Sequence, residues 1–98
     1  MDLNHIIATL ADRQQRATYG CIASLLGRTA NGLMQNRVNT PPNSWVVAAN
    51  DRNETGARRG WPTGYADNEM DPRCLEQCRA NRDDFIETEA ALRQFLEG

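Results

Sequence analysis

Three cysteines and one histidine are the side chains that could bind a metal or act as nucleophiles: Cys21, Cys74, Cys78 and His5. Cys74 and Cys78 are four residues apart, so on a helix they share one face. With Cys21 and His5 they have the residue types of a zinc site. Structural zinc sites, however, usually take thiolates from tight C-x2-C pairs on loops, and the sequence contains no such pair. We therefore expect free thiols that pack as small apolar side chains, and no cofactor.

Nucleophilic catalysis is a second chemistry that these residues could support. His5 could activate Cys21 or Ser44, but the sequence indicates no third group that would orient the imidazole. We therefore interpret His5 as a surface or boundary residue of the first helix. An enzyme that uses Cys21 is a third hypothesis for function, and the rate of thiol alkylation at this cysteine would test it.

Acidic residues concentrate near the C-terminus, in a cluster formed by Asp83, Asp84, Glu87 and Glu89. A two-carboxylate hydrolase or a cation site would need these groups to converge in a cleft. A solvated acidic surface is the interpretation we favour. Such a surface would repel DNA and could bind a basic partner protein.

Charge is distributed unevenly along the chain. All 11 basic residues are Arg, and the formal net charge is −2. Residues 1–66 hold seven Arg and four acidic residues, whereas residues 67–98 hold four Arg and nine acidic residues. A domain that binds duplex DNA is more often basic overall. Any DNA-binding surface must therefore come from the first two-thirds of the chain.

The length of 98 residues, 40% of them hydrophobic, is enough for one small globular domain and too short for two independent cores. The first residues, MDLNHIIATL, lack a basic segment, and no apolar run reaches the roughly 20 residues that span a bilayer. We expect neither a signal peptide nor a membrane anchor, and hence a cytoplasmic protein with reduced thiols. The oligomeric state does not follow from the sequence.

Helical periodicity dominates the first third of the chain. Apolar residues recur at helical spacing over 3–15, with Asp2 as the N-cap. Thr18 caps a second helix, which Gly27 ends in the left-handed conformation. A third helix follows after a short turn. This spacing is typical of a helix-turn-helix, over about 18–37.

The middle of the chain predicts a small β element. The stretch SWVVAA at 44–49 has the aromatic and β-branched composition of a strand, and residues 61–65 could form a return strand. We expect a strand and wing over about 44–65. An Asp-Pro pair then starts the C-terminal helices, over about 71–97. The predicted fold class is mainly α with a small β element, as a winged-helix-like helix-turn-helix domain.

The second helix carries the motif Thr18-Tyr19-Gly20-x-Ile22-Ala23-x-x-Leu26-Gly27. This motif resembles the helix-turn-helix of the O6-alkylguanine-DNA alkyltransferases and the alkyltransferase-like proteins. In those families a recognition helix follows, and then a P-C-H-R-V-V segment enters a strand. The segment Pro42-Asn43-Ser44-Trp45-Val46-Val47 lies at the corresponding place. The resemblance covers roughly residues 3–50 and implies a DNA-binding domain. The second half also resembles small bacterial proteins of unassigned function, which implies no activity.

The resemblance also implies which chemistry is lost. In the family, the Cys of P-C-H-R-V-V accepts the alkyl group and the following His activates it. Asn43 and Ser44 occupy those two positions here, and an amide cannot replace a thiolate nucleophile. Cys21 lies within the second helix and not at that position. We therefore expect no alkyl transfer and a non-enzymatic protein.

DNA binding is the leading hypothesis for function. The third helix, at about 29–37, would enter a groove, where Asn and Gln read base edges and Arg contacts phosphates. Tyr19 corresponds to the family's Tyr that helps to rotate the target nucleotide, and Asn31 aligns with the family's Arg that enters the base stack. The predicted DNA-binding residues are Tyr19, Arg28, Asn31, Gln35, Arg37, Arg58 and Arg59.

A protein-interaction module that kept the fold and lost DNA binding is the alternative. The acidic net charge and the absence of the family's Arg at Asn31 favour this hypothesis. A small regulator or inhibitor could dock through Trp61, Tyr65 and the acidic C-terminal third of the chain. Neither hypothesis specifies a DNA sequence, a lesion or a partner protein.

Overall fold

The computed structural model describes residues 2–29, 32–33, 39–49, 58–80 and 84–98. These residues are mainly helical and include a small two-stranded parallel sheet. The α-helices are α1 (Leu3–Arg13), α2 (Tyr19–Leu26), α3 (Pro72–Arg79) and α4 (Glu89–Glu97), and the strands are β1 (Ala17–Thr18) and β2 (Val46–Val47). The same part of the chain has 3-10 helices at Pro42–Trp45 and Asp67–Glu69. The predicted content, mainly α with a small β element, is confirmed.

Side-chain caps explain where the helices begin and end. The Asp2 carboxylate and the Thr18 hydroxyl accept backbone N–H groups of the first turn at 2.8 and 3.2 Å. The Asp71 carboxylate accepts the Arg73 N–H at 2.9 Å and so caps α3, which begins at Pro72 as predicted. Gly27 ends α2 with a φ of 67°, a conformation that glycine adopts without strain. These predicted boundaries are confirmed.

Strand β1 lies between two partners. Ala17 pairs with Val46 and Thr18 with Val47 in parallel register. On its other side, the Thr18 N–H donates to the Ile86 carbonyl at 2.9 Å, and Ala17 forms a single parallel bridge with Ile86. The chain before α2 is therefore held by the middle and the C-terminal part of the sequence.

The first strand of the predicted wing is shorter than expected. Within 44–49, only Val46–Val47 form a strand, because Ser44 and Trp45 belong to the preceding 3-10 helix. Ala48 continues the pairing with one parallel bridge to Arg59. The strand therefore has the predicted position but only part of the predicted length.

The predicted return strand at 61–65 is wrong. These residues form bends and turns, and Gly64 has a φ of 78°, which does not fit a strand. Pro62 also lacks the backbone N–H that a strand ladder needs. The segment therefore does not form a hairpin with β2.

Two helix predictions differ from the structure at their ends. Helix α1 ends at Arg13 rather than at residue 15, because Gln14 takes a left-handed φ of 55°. The third predicted helix, at about 29–37, lies mostly outside the described residues. Of that range, Gly32 and Leu33 form a turn.

The core is built from the apolar faces of the helices and from the residues around β2. Helix α2 packs against α4, and α1 packs against the 3-10 helix Pro42–Trp45. Among the described residues, no helix has the length and apolar composition needed to cross a bilayer. The largest fully buried apolar side chains are Trp45, Ile6, Leu10, Ile22, Leu33, Leu92, Val46 and Val47.

Candidate functional site

Tyr19 occupies the first position of α2, directly after β1. Its side chain is half-buried, and its phenol oxygen accepts a 3.0 Å hydrogen bond from the Thr63 N–H. The start of the predicted helix-turn-helix is therefore in direct contact with the last part of the predicted wing, in the loop 58–65. The Tyr19 hydroxyl is the acceptor in this hydrogen bond, so its O–H donor is not used by Thr63.

Arg58 and Trp61 form a stacked pair in this loop. The guanidinium carbon of Arg58 lies 3.7 Å from the centroid of the Trp61 ring. Such a cation–π contact holds the positive charge over the aromatic face. Arg58 is exposed and Trp61 is half-buried, so both side chains reach the surface.

Tyr65 lies next to Tyr19 and completes this region. Its hydroxyl donates to the Thr40 carbonyl at 3.4 Å. Burial and the neighbouring Tyr19 raise the pKa of Tyr65 to about 12, so the phenol stays protonated at neutral pH. We refer to Tyr19, Arg58, Trp61 and Tyr65 as the aromatic surface.

The other two described arginines of the predicted DNA-binding set lie in different surroundings. Arg28 is exposed just after the C-terminal end of α2. Arg59 forms an ion pair with Glu87, donates to the Ala49 carbonyl at 2.6 Å and lies over the Phe85 ring at 4.9 Å. Arg59 is therefore held by contacts within the protein.

The predicted recognition-helix residues Asn31, Gln35 and Arg37 lie outside the described residues. Their predicted contacts with DNA remain predictions. Of the seven predicted DNA-binding residues, the structure therefore describes Tyr19, Arg28, Arg58 and Arg59.

Asn43 and Ser44, the residues at the places of the family's Cys and His, are both buried. The Ser44 hydroxyl donates to the Pro41 carbonyl at 2.6 Å and accepts from the Asp71 N–H at 3.1 Å. These contacts tie the 3-10 helix to the start of α3. They use Ser44 as a structural hydroxyl, and neither partner is a base that could activate it.

Cys21 lies on the buried side of α2. Its thiol is within 3.3 Å of the Thr18 carbonyl and 3.4 Å of the Ile86 carbonyl. Burial raises the pKa of the Cys21 thiol, which lowers its reactivity at neutral pH. These surroundings do not favour the hypothesis of an enzyme that uses Cys21.

Arg16 is a buried residue that the sequence analysis did not select. Its side chain is 1% exposed, and its Nη1 donates to the Gly60 carbonyl at 2.7 Å. The same nitrogen lies 3.7 Å from the Cys78 sulfur, and Nη2 pairs with Asp84 at 3.3 Å. The guanidinium carbon of Arg16 lies 5.2 Å from the centroid of the Phe85 ring. No feature of the local sequence distinguishes Arg16 from the exposed arginines, because its burial depends on residues far along the chain.

The three cysteines are buried free thiols, as predicted. Cys74 and Cys78 lie on the buried face of α3, one turn apart. His5 is exposed on α1, as predicted. Within the described part of the chain, no three His, Cys, Asp or Glu side chains are grouped as a metal site would need.

The acidic third of the chain is extensively paired with arginine. Asp84 and Glu87 of the predicted acidic cluster bind arginines from outside residues 67–98, and Glu89 binds Arg93 of the same helix. Asp83 lies outside the described residues. The ion pairs among the described residues are Arg16–Asp84, Arg59–Glu87, Arg73–Asp71, Arg79–Asp67 and Arg93–Glu89.

Comparisons with known proteins add no relative. The chain matches no family model, no curated protein and no solved structure.

Proposed function

We propose that the protein is a non-enzymatic DNA-binding domain of the winged-helix-like class. It would bind a duplex through the region 18–37 and through the aromatic surface. The resemblance to the alkyltransferases and alkyltransferase-like proteins motivates this proposal. Asn43 and Ser44 replace the family's Cys and His, so the proposed activity is binding without alkyl transfer.

One contact carries the proposal: the 3.0 Å hydrogen bond from the Thr63 N–H to the Tyr19 hydroxyl. It joins the first turn of the predicted helix-turn-helix to the loop that bears Arg58 and Trp61. The contact places two segments that were predicted separately to face DNA next to each other. A second observation supports the proposal. Strand β1 pairs with β2, so the two motifs that resemble the family lie side by side.

The ion pairs of the described residues indicate which arginines are available to contact phosphates. Five arginines pair with carboxylates of residues 67–98. Arg13, Arg28 and Arg58 have no carboxylate partner in the part of the chain that the structure describes, and Arg13 instead donates to the Phe95 carbonyl of α4. An arginine without an internal ion pair can neutralise a phosphate without first breaking an ion pair. Arg59 is already paired with Glu87, so we expect its contribution to be smaller than that of Arg58.

A salt titration of DNA binding tests the proposal. Fluorescence anisotropy would be measured with a labelled random-sequence duplex and with a matched duplex that contains O6-methylguanine. We expect affinity to fall steeply as salt concentration rises, because phosphate contacts release bound counterions. Tighter binding to the modified duplex would extend the proposal to damage recognition. Absence of binding to both duplexes at low salt would refute it.

A protein-interaction module is the second candidate, and the exposure of the aromatic surface favours it. Trp61 and Tyr65 are both half-buried, and Trp61 stacks on Arg58. Aromatic residues with an arginine are the side chains that dominate protein interfaces. Two measurements separate the candidates. If the surface binds a protein, the parent chain should not bind DNA. A partner protein that binds the parent chain should then fail to bind the Trp61→Ala variant.

A further inference from the structure

Cys74 and Cys78 form a buried pair of thiols on α3. Their fractional exposures are 0% and 2%. The Cys74 thiol donates to the Ser44 carbonyl at 3.3 Å, and the Cys78 thiol donates to the Gly60 carbonyl at 3.2 Å. Each thiol therefore attaches α3 to a different segment of the chain.

The Gly60 carbonyl is the point where this pair meets the Arg58–Trp61 segment. It accepts from Cys78 at 3.2 Å and from Arg16 Nη1 at 2.7 Å. Gly60 follows Arg58 and Arg59, and its own N–H donates to the Ala48 carbonyl at 2.8 Å. The position of the segment therefore depends on a thiol proton and on a buried guanidinium.

The surroundings make the two sulfurs chemically unequal. The interaction with Cys74, followed by the Arg16 guanidinium, whose Nη1 lies 3.7 Å from the sulfur, lowers the pKa of Cys78 despite its burial. The interaction with Cys78 and burial raise the pKa of Cys74. Because the thiolate is the nucleophilic form, Cys78 is better suited than Cys74 to attack an electrophile.

We propose that Cys74 and Cys78 form a peroxide-sensitive dithiol site that holds the Arg58–Trp61 segment in place only in its reduced form. Cys78 sulfur attacks one oxygen of hydrogen peroxide, the O–O bond breaks, and the products are Cys78 sulfenic acid and water. The Cys74 sulfur then attacks the Cys78 sulfur, an S–S bond forms, and a second water leaves. Both sulfurs are oxidised, and peroxide is reduced to two waters.

The helix geometry permits the second step after a small local change. Cα atoms four residues apart in a helix are about 6 Å apart, which lies within the range of disulfides. The sulfurs must approach further, so the last turn of α3 opens. Helix α3 ends at Arg79, one residue after Cys78, so few helical hydrogen bonds are lost.

Oxidation removes the contact that Cys78 makes with the segment. A disulfide has no S–H group, so the Gly60 carbonyl loses one of its two donors. The Arg16 guanidinium also loses the sulfur that lies 3.7 Å away. We expect the segment to open more often, and the bond after Arg59 to become a better substrate for trypsin.

The test combines mass spectrometry with limited proteolysis of the full chain. The protein would be treated with hydrogen peroxide, and remaining thiols would be blocked with iodoacetamide. We expect the peptide with Cys74 and Cys78 to carry no iodoacetamide label and to be about 2 Da lighter than the same peptide with two free thiols. No other peptide should lose mass in this way. We also expect trypsin to cleave after Arg59 about tenfold faster than in the reduced protein, as loss of one buried hydrogen bond predicts. Dithiothreitol should reverse both changes.

Three single variants complete the design. Cys78→Ser keeps a hydroxyl that can donate to the Gly60 carbonyl, so peroxide should change neither its mass at this site nor its cleavage rate. Cys74→Ser should accumulate Cys78 sulfenic acid, which dimedone traps. Cys21→Ser is the matched control and should behave like the parent protein.

Two outcomes overturn the proposal. Peroxide could oxidise Cys21 while Cys74 and Cys78 stay reduced, or the disulfide could form without faster cleavage after Arg59. The proposal does not use DNA binding, so a failed duplex titration leaves these measurements unaffected.

Discussion

The indole N–H of Trp45 donates a 3.2 Å hydrogen bond to the carboxylate of Asp71, and both side chains are buried. The same carboxylate accepts the Arg73 backbone N–H at 2.9 Å and forms an ion pair with the Arg73 guanidinium. One acid therefore caps α3 and fixes it to the 3-10 helix that precedes β2.

This arrangement makes the stability sensitive to acid. Burial raises the pKa of Asp71, but hydrogen bonds from Arg73 and Trp45 outweigh it and hold the pKa below its ordinary value. A carboxylate whose pKa is lower in the folded state stabilises the fold at neutral pH. That contribution is lost as the pH falls below the ordinary Asp value of about 4. Urea unfolding midpoints, measured from about pH 6 to pH 3, should fall more steeply for the parent chain than for Asp71→Asn. Parallel pH profiles would contradict the assignment.

Gly60 should tolerate no side chain. Its φ is 80°, and a Cβ there would lie 2.9 Å from Arg16 Nη1 and 3.0 Å from the Phe85 ring. Gly60→Ala should lower the free energy of unfolding by about 2 kcal/mol or more, from backbone strain and overlap together. Gly64→Ala is the matched control, because its φ of 78° is similar but nothing lies within 4 Å of its Cβ position. Equal losses in the two variants, measured by urea unfolding, would show that overlap with Arg16 adds nothing.

Arg16 should contribute more to stability than an exposed arginine. Arg16→Met removes the donor to the Gly60 carbonyl and the pair with Asp84, and we expect a loss of about 2–3 kcal/mol. Arg93→Met removes an exposed pair with Glu89 on α4, so its loss should stay below about 0.5 kcal/mol. Chemical denaturation at one pH compares the two variants directly. A loss for Arg16→Met as small as that for Arg93→Met would contradict the structural role of the buried guanidinium.

The salt dependence of DNA binding in two alanine variants, at Arg58 and at Arg79, tests the proposed DNA surface. Arg58→Ala should weaken duplex binding regardless of base sequence and reduce the slope of log affinity against log salt by roughly one contact. Arg79→Ala makes the same change of charge, but Arg79 pairs with Asp67 on the acidic side of the sequence. Its salt slope should equal that of the parent chain. An unchanged slope in Arg58→Ala would remove the loop from the proposed interface.

Local sequence patterns predicted the parts of the fold that depend on local interactions. Asp2, Thr18 and Gly27 mark helix ends because a cap needs only neighbouring backbone groups. The wing could not be predicted in the same way. Whether 61–65 returns as a strand depends on tertiary contacts, such as that from Thr63 to Tyr19.

The same reasoning applies to the candidate site. The resemblance selected Tyr19, and residue types selected Arg58 and Trp61. The structure stacks Arg58 on Trp61 and joins Tyr19 to Thr63 of the same loop. Residue types also selected Arg59, which Glu87 and Phe85 hold instead. Arg16 was missed because its burial is created by Gly60, Cys78 and Asp84, which are far from it in sequence.

The pairing of β1 also constrains the order of folding. Its partners, β2 and Ile86, come from the middle and the end of the sequence, so the short strand gains its hydrogen bonds only through long-range closure. Such non-local contacts slow folding relative to a helical bundle of similar size. During synthesis, α1 and α2 would leave the ribosome well before Ile86, and until then β1 and Arg16 would lack their final neighbours. We infer that the N-terminal helices of a nascent chain are open to chaperones until the last segment arrives.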